Sequence, residues 1–417
     1  MKKLYIEGNK KLIGNVLISG SKNAALPILF MTILTKEKIK IGNIPKLTDI
    51  KIAIKLLKSL GAEIIYQNKF LYINPGLINI YSPPYKLIKK IRASIWMLAP
   101  LLIRFGKTKM FFPGGCKIGT RPINLHLNGL IKLGAKIIKK ENSILAYIDK
   151  PLRGQYICME KISVGATITI MSAATLARGI TTIENAAKEP EIIDIAKFLN
   201  TLGANIIGAG SNKIYIKGVL KLNGGEHQII PDRIETGTFL IAAAISKGFI
   251  TCQNTEPKHL KNVLKKLSQT GAIIKTGKNW IKLDMRNKIP KSINISTSPY
   301  PGFPTDMQPQ FTLLNSIAQG KSIVIENIFE NRFGYVKELI KMGAQIEIKK
   351  NYITCQGVSN LFSKNIFSTD LRGSATLVLA GCIAKGNTIV NNIYHLKRGY
   401  ASFEKKLNKL GANIQYL

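Results

Sequence analysis

The chain has 417 residues, 46% of them apolar, and a formal net charge of +38. Such a length exceeds one ordinary core and sets an expectation of two domains of about 200 residues each. The opening Met1-Lys2-Lys3-Leu4-Tyr5-Ile6 lacks the apolar stretch of a signal peptide, and no apolar run is long enough to span a bilayer. The expectation is a cytoplasmic protein without a membrane partner.

The charge invites a nucleic-acid partner. Its distribution argues against one, because the lysines are scattered and only ten residues are arginine. Six of those (Arg92, Arg121, Arg233, Arg332, Arg372, Arg398) fall at loops or helix starts. No stripe interleaves arginine with aromatic residues, as single-strand binding would need. Compositional drift toward Ile, Lys and Asn accounts for the lysines, and no nucleic acid is expected. Five cysteines without a CxxC pair argue against a disulfide framework and against a zinc site. Cys158, Cys252 and Cys355 lie in strand-like runs and Cys382 in an apolar segment, so all four read as small core residues.

Taken in order, the chain opens on a short strand at 4–6 and then repeats itself. Leu60-Gly61-Ala62, Leu133-Gly134-Ala135, Leu202-Gly203-Ala204, Thr270-Gly271-Ala272, Met342-Gly343-Ala344 and Leu410-Gly411-Ala412 are spaced by 73, 69, 68, 72 and 68 residues. Each glycine ends an amphipathic helix, such as 52–60 or 336–342, where it supplies a left-handed cap. β-rich runs follow, such as 64–66 and 346–348. An Ala-rich helix, apolar nearly all round, precedes each unit: 24–34, 94–103, 166–177, 236–245, 308–317 and 374–384. Helices of that kind are buried. Most are followed by Gly and a strand ending near Asn, as in 179–185, 248–254 and 320–327. The fold class is α/β, with six repeats of about 70 residues, too large for a solenoid unit. Three repeats per domain would set three buried helices inside sheets and outer helices.

Polar residues gather where the buried helices begin: Ser21-Lys22-Asn23, Arg92, Lys161-Ile162-Ser163-Val164, Asp232-Arg233, Thr305-Asp306 and Asp370-Leu371-Arg372. Helix N-termini attract anions. Lys22, Arg92 and Arg372 oppose the dipole there, a mismatch that points to a negatively charged ligand. The second repeat carries an insertion, Gly114-Gly115-Cys116-Lys117-Ile118-Gly119-Thr120-Arg121-Pro122. Lys117 and Arg121 would favour the Cys116 thiolate, which makes Cys116 the one cysteine with a reactive setting.

These motifs, with Gly20-Ser21-Lys22-Asn23, Pro231-Asp232-Arg233-Ile234-Glu235, Glu330-Asn331-Arg332 and Arg398-Gly399-Tyr400, make the whole chain resemble the UDP-N-acetylglucosamine enolpyruvyl transferases. The resemblance implies a two-domain inside-out α/β barrel. Residues 22–229 would form one domain and 1–21 with 230–417 the other, with the active site in the cleft between them. It implies transfer of enolpyruvyl from phosphoenolpyruvate to the 3′-hydroxyl of UDP-N-acetylglucosamine, without cofactor or metal, as the first committed step of peptidoglycan synthesis. Cys116 would be the acid and Asp306 the base. Lys22, Arg121 and Arg398 would bind the phosphate and Arg372 the carboxylate, with Asn23 also at phosphoenolpyruvate. Asn23, Arg92, Arg121, Pro122, Ile123, Asn124, Leu125, Lys161, Ile162, Ser163, Val164, Asp306 and Ile328 would hold the nucleotide sugar. Two positions depart from the family pattern: Asn124 stands where Asp is usual, and Ile328 where Val is. The oligomeric state stays open. The alternatives are the sister branch acting on shikimate 3-phosphate, which lacks the Gly-Gly-Cys loop, an inactive descendant, and a basic nucleic-acid-binding protein.

Overall fold

The computed structural model describes residues 3–114, 118–119 and 121–417. The chain divides into two compact units. The terminal unit holds the N-terminal segment up to Ser19 and Pro231–Leu417, and Ile118 and Gly119 group with it. The central unit runs from Gly20 to Ile230.

In the central unit the buried helices are Lys22–Met31, Leu98–Phe105 and Val164–Ala174; in the terminal unit they are Arg233–Ile245, Gln308–Ile317 and Leu371–Ile383. Every residue of Arg233–Ile245 is buried, as expected of a helix without a polar face. The three helices of the terminal unit pack on one another. Phe239, Phe311 and Tyr335 are among the side chains fully withdrawn from water there, each contributing about 1.5–3 kcal/mol of apolar burial. One predicted helix is corrected. The run 94–103 opens as a 3-10 helix, Arg92–Met97, before Leu98–Phe105 continues as α-helix. Ser94 Oγ donates to the Ile88 and Ile91 carbonyls at 3.2 and 2.8 Å, a local bond that competes with regular helix pairing.

The six repeat glycines cap their helices at φ of 108° (Gly61), 105° (Gly134), 97° (Gly203), 92° (Gly271), 97° (Gly343) and 103° (Gly411). These angles lie outside the range that side chains tolerate, which is why the position repeats as glycine.

Each unit has three sheets among its described residues. In five of them a strand pairs antiparallel on one side and takes a short parallel edge strand on the other, as Ile180–Glu184 does with Lys213–Lys217 and Tyr156–Cys158. The Asn at the end of the central strand explains the Asn-terminated pattern. Asn43, Asn185, Asn254, Asn327 and Asn392 donate through Nδ2 to the carbonyls of Ile229, Met159, Ile18, Thr297 and Ser368, at 2.8, 2.9, 2.9, 2.9 and 3.3 Å. Each acceptor is the first residue past a parallel edge strand, so the amide clips the segment that leads into a buried helix. Four of these Asn have φ between 54° and 58°, a conformation Asn tolerates better than most residues.

The sixth sheet, built on Lys107–Phe111, has three strands. The segment that would supply its parallel edge reads Ser82-Pro83-Pro84, and proline has no N–H to donate. Side chains substitute: Thr108 Oγ1 donates to the Tyr81 carbonyl at 2.7 Å and Ser82 Oγ to the Lys109 carbonyl at 3.0 Å. This is the repeat that carries the Cys116 insertion.

Cys252, Cys355 and Cys382 are buried, whereas Cys158 is exposed and corrects the core expectation. In the edge strand Tyr156–Cys158 the middle residue, Ile157, points inward, so strand alternation turns Cys158 out.

Candidate active site

In the central unit, Lys22 and Asn23 open the helix Lys22–Met31. Lys22 Nζ lies 3.9 Å from Asp49 Oδ2, and Asp49 is 3% exposed in the first turn of Thr48–Ser59. The preceding Ser21 is buried, and its Oγ has no hydrogen-bond partner. A second group lies around His126. Arg92 opens the 3-10 helix, and Asn124 is the first residue of Asn124–Lys132. Two residues on, His126 Nδ1 meets Thr169 Oγ1 at 2.8 Å. Burial, reinforced by the charge of Arg92, pushes His126 down to about 4, so its imidazole is neutral at pH 7. A Cβ at Gly165 would stand 2.7 Å from His126 Nε2, and Trp96 Nε1 donates to the Gly165 carbonyl at 3.3 Å. Ser163 caps Val164–Ala174, its Oγ accepting from the Ala166 N–H at 3.2 Å. Arg92, His126, Ser163 and Val164 therefore share one neighbourhood. Lys161 and Ile162 precede it on the exposed side, and Arg121 sits in the left-handed region at φ 45° ahead of Pro122, Ile123 and Leu125. Cys116 and Lys117 lie outside the described residues.

In the terminal unit the centre is Asp306, within the 3-10 turn Thr305–Met307 that leads into Gln308–Ile317. Arg332 Nη2 donates to its Oδ1 at 2.9 Å and Arg372 Nη2 to its Oδ2 at 2.8 Å. The arginine side chains are 2% and 3% exposed and the aspartate 27%, so a carboxylate at the surface holds two cations beneath it. Two donors, Arg332 Nε and Arg372 Nη1, are buried without an acceptor. Burial opposes the charge on Arg372, but the carboxylates of Asp306 and Asp232 hold the guanidinium charged and above its ordinary value. Asp370 Oδ1 accepts from the Arg372 and Gly373 N–H groups, both at 3.0 Å, which fixes the helix start carrying Arg372. Arg398 is half-buried in the short helix Leu396–Gly399.

Sequence reasoning left Arg332, Glu326 and Tyr400 without roles. Glu326 Oε1 accepts from the N–H groups of Ile328 and Phe329 at 2.9 and 3.2 Å, and Oε2 from Thr305 Oγ1 at 2.9 Å. It ties Ile328 to the turn that bears Asp306. Its place beside the clipping Asn327 was the available signal. Among the described residues no group of three or more His, Cys, Asp or Glu is placed to hold a metal ion, and no helix is long and apolar enough to cross a membrane. A hollow of about 580 Å³ bordered by Gln253, Trp280 and Lys282 contains none of the predicted site residues.

A carboxylate flanked by two buried guanidiniums leaves a net positive charge and two spare N–H donors, the chemistry that suits a small anion. The family model described as EPSP synthase (3-phosphoshikimate 1-carboxyvinyltransferase) matches residues 6–407. The chain belongs to the enolpyruvyl transferase family. It is 75% identical over the full length of both chains to the UDP-N-acetylglucosamine 1-carboxyvinyltransferase of Buchnera aphidicola subsp. Schizaphis graminum. It is 59% identical, again with both chains fully covered, to the protein of that name from Wigglesworthia glossinidia brevipalpis. The crystal structure of the enolpyruvyl transferase NikO from Streptomyces tendae superposes with a TM-score of 0.90 at 23% identity, covering 100% of this chain and 98% of that one. At that identity the likeness speaks for the fold of this enolpyruvyl transferase.

Proposed function

We propose that this enolpyruvyl transferase moves the enolpyruvyl group of phosphoenolpyruvate to the 3′-hydroxyl of UDP-N-acetylglucosamine and releases phosphate, in the cytoplasm, as a step of peptidoglycan synthesis. The observation that carries the reading within the structure is the Arg332–Asp306–Arg372 cluster with its unfilled buried donors. Arg372 Nη1 is free to bind the phosphoenolpyruvate carboxylate while Asp306 faces the sugar hydroxyl. Lys22, Arg121 and Arg398 take the phosphate, and Asn23 joins them. Cys116 protonates the vinyl methylene carbon as the sugar oxygen bonds to the adjacent carbon, and Asp306 accepts the hydroxyl proton. The tetrahedral ketal then loses phosphate and a methyl proton, which restores the vinyl group. Arg92, Arg121 to Leu125, Lys161 to Val164, Asp306 and Ile328 bind the nucleotide sugar. The reading takes 22–229 and 1–21 with 230–417 as working domains and draws on residues from both.

Asn124 keeps a carbonyl acceptor where an Asp is usual, which leaves a uracil contact feasible with changed strength. The test is phosphate release from phosphoenolpyruvate with UDP-N-acetylglucosamine, with shikimate 3-phosphate, and with no acceptor. Release with the nucleotide sugar alone is expected. Release with shikimate 3-phosphate, or none from folded protein, overturns the reading.

A further inference from the structure

Tyr400 is two residues beyond Arg398, and no step above uses it. It is 2% exposed. The Arg372 guanidinium carbon lies 5.3 Å from its ring centroid, within cation–π range. The hydroxyl stands 3.0 Å from Thr238 Oγ1 and 3.2 Å from the Gln310 amide. Thr238 donates its own proton to the Ile234 carbonyl at 2.8 Å. Gln310 satisfies both ends of its amide when the nitrogen faces the carbonyls of Asp306 and Met307 at 3.1 and 3.3 Å and the oxygen faces Tyr400. In that arrangement the phenol is the donor to the Gln310 oxygen, and Gln310 in turn grips the backbone of Asp306.

We propose that Tyr400 is a positioning residue: its ring seats Arg372 and its hydroxyl, through Gln310, fixes the turn carrying Asp306, the ion-pair partner of Arg372, so that the Arg372 guanidinium is held ready for the phosphoenolpyruvate carboxylate. The inference rests on the assignment of Arg372 and Asp306 in the proposed function. Both partners belong to the terminal unit, and the link joins three of its segments: the turn at Asp306, the helix start at Arg372 and the chain just past Arg398. Burial raises the Tyr400 phenol above its ordinary value, which keeps it protonated and donating through the working pH range.

Tyr400→Phe keeps the ring and removes the donor, leaving beside the Gln310 oxygen the Thr238 hydroxyl at 3.0 Å, whose proton goes to the Ile234 carbonyl. Loss of one such bond corresponds to roughly a tenfold change. Steady-state kinetics on the full-length Tyr400→Phe protein should show KM for phosphoenolpyruvate up by about that factor. KM for UDP-N-acetylglucosamine should move by no more than about twofold, because Asp306 is one of many groups assigned to the nucleotide sugar, whereas uniform loss of structure would move both constants alike. Tyr335→Phe is the control. That phenol is equally buried and donates to Thr312 Oγ1 at 2.8 Å, and its partners are Thr312 and Gln308. It should cost stability without splitting the two KM values. Thr238→Val is a second probe, since it removes the hydroxyl beside the phenol and should produce a weaker split in the same direction. Parent-like KM for phosphoenolpyruvate in Tyr400→Phe, or an equal split in Tyr335→Phe, overturns the positioning role. Arg372→Ala separates the two levels: if it leaves KM for phosphoenolpyruvate unchanged, the assignment of Arg372 itself has failed; if it raises KM while Tyr400→Phe does not, only the inference about Tyr400 has.

Discussion

Lys406 and Glu235 form a site where a single substitution should both loosen the terminal unit and write a pH signature into its stability. Lys406 Nζ donates to Glu235 Oε1 at 2.7 Å and to Ser19 Oγ at 2.9 Å, and the Ser19 N–H donates to Glu235 Oε2 at 2.7 Å. Ser19 is the residue at which the chain leaves this unit. Glu235 is 2% exposed and Lys406 19%. Burial raises the Glu235 carboxyl above the ordinary range, and Lys406 opposes that shift. Lys406→Met removes the opposing charge, so the carboxyl climbs further. A carboxyl whose folded value exceeds its unfolded one weakens the fold as pH rises past the unfolded value, because the folded state binds the proton more tightly. Breaking a buried pair on one side costs about 3–5 kcal/mol. At about 2–4 °C per kcal/mol for a domain of this size, the melting temperature should fall on the order of 10 °C at pH 8. At pH 5.5, closer to the ordinary carboxyl range, the raised Glu235 carboxyl holds its proton more often than at pH 8, and the fall should be smaller. Thermal melts by circular dichroism of parent, Lys406→Met and the double variant Glu235→Gln/Lys406→Met at both pH values make the measurement. The double variant carries no stranded charge and should recover most of the loss at pH 8. A pH-independent drop, or a double variant no better than the single, would refute the electrostatic account and leave only lost packing.

Two further outcomes can be checked cheaply. A soluble maleimide should label Cys158 in the native protein, because its side chain is exposed; Cys252, Cys355 and Cys382 should resist until unfolding, with burial pushing the thiols of Cys355 and Cys382 up to about 12. Peptide mapping that finds Cys382 labelled ahead of Cys158 would contradict the packing of Leu371–Ile383. Gly165→Ala places a methyl 2.7 Å from His126 Nε2; overpacking of this kind costs about 1–3 kcal/mol, and an unchanged urea midpoint would show that His126 is free to move.

How far this enolpyruvyl transferase could be read without coordinates depends on the range of the interactions concerned. The glycine caps were legible because a left-handed φ is a demand one residue makes on its own backbone, and the six repeats state it at Gly61, Gly134, Gly203, Gly271, Gly343 and Gly411. The buried helices were legible for a similar reason, since a helix such as Arg233–Ile245 advertises its burial on every face. Helix starts flagged Lys22, Arg92 and Arg372 because a cation there is locally wrong. What stayed hidden was set by partners far along the chain. Glu326 looks like the last residue of an ordinary strand until Thr305 and Ile328 are seen to meet it. Cys158 has the surroundings of a core residue in its strand, and only the position of that strand at a sheet edge, with Ile157 facing inward, turns it outward. The pairing of Asp306 with Arg332 and Arg372 spans 26 and 66 residues, a distance over which no periodicity carries. Local misfit points to where a ligand binds, while the groups that hold the binding residues in place emerge only from the packing, and Tyr400 belongs to that second class.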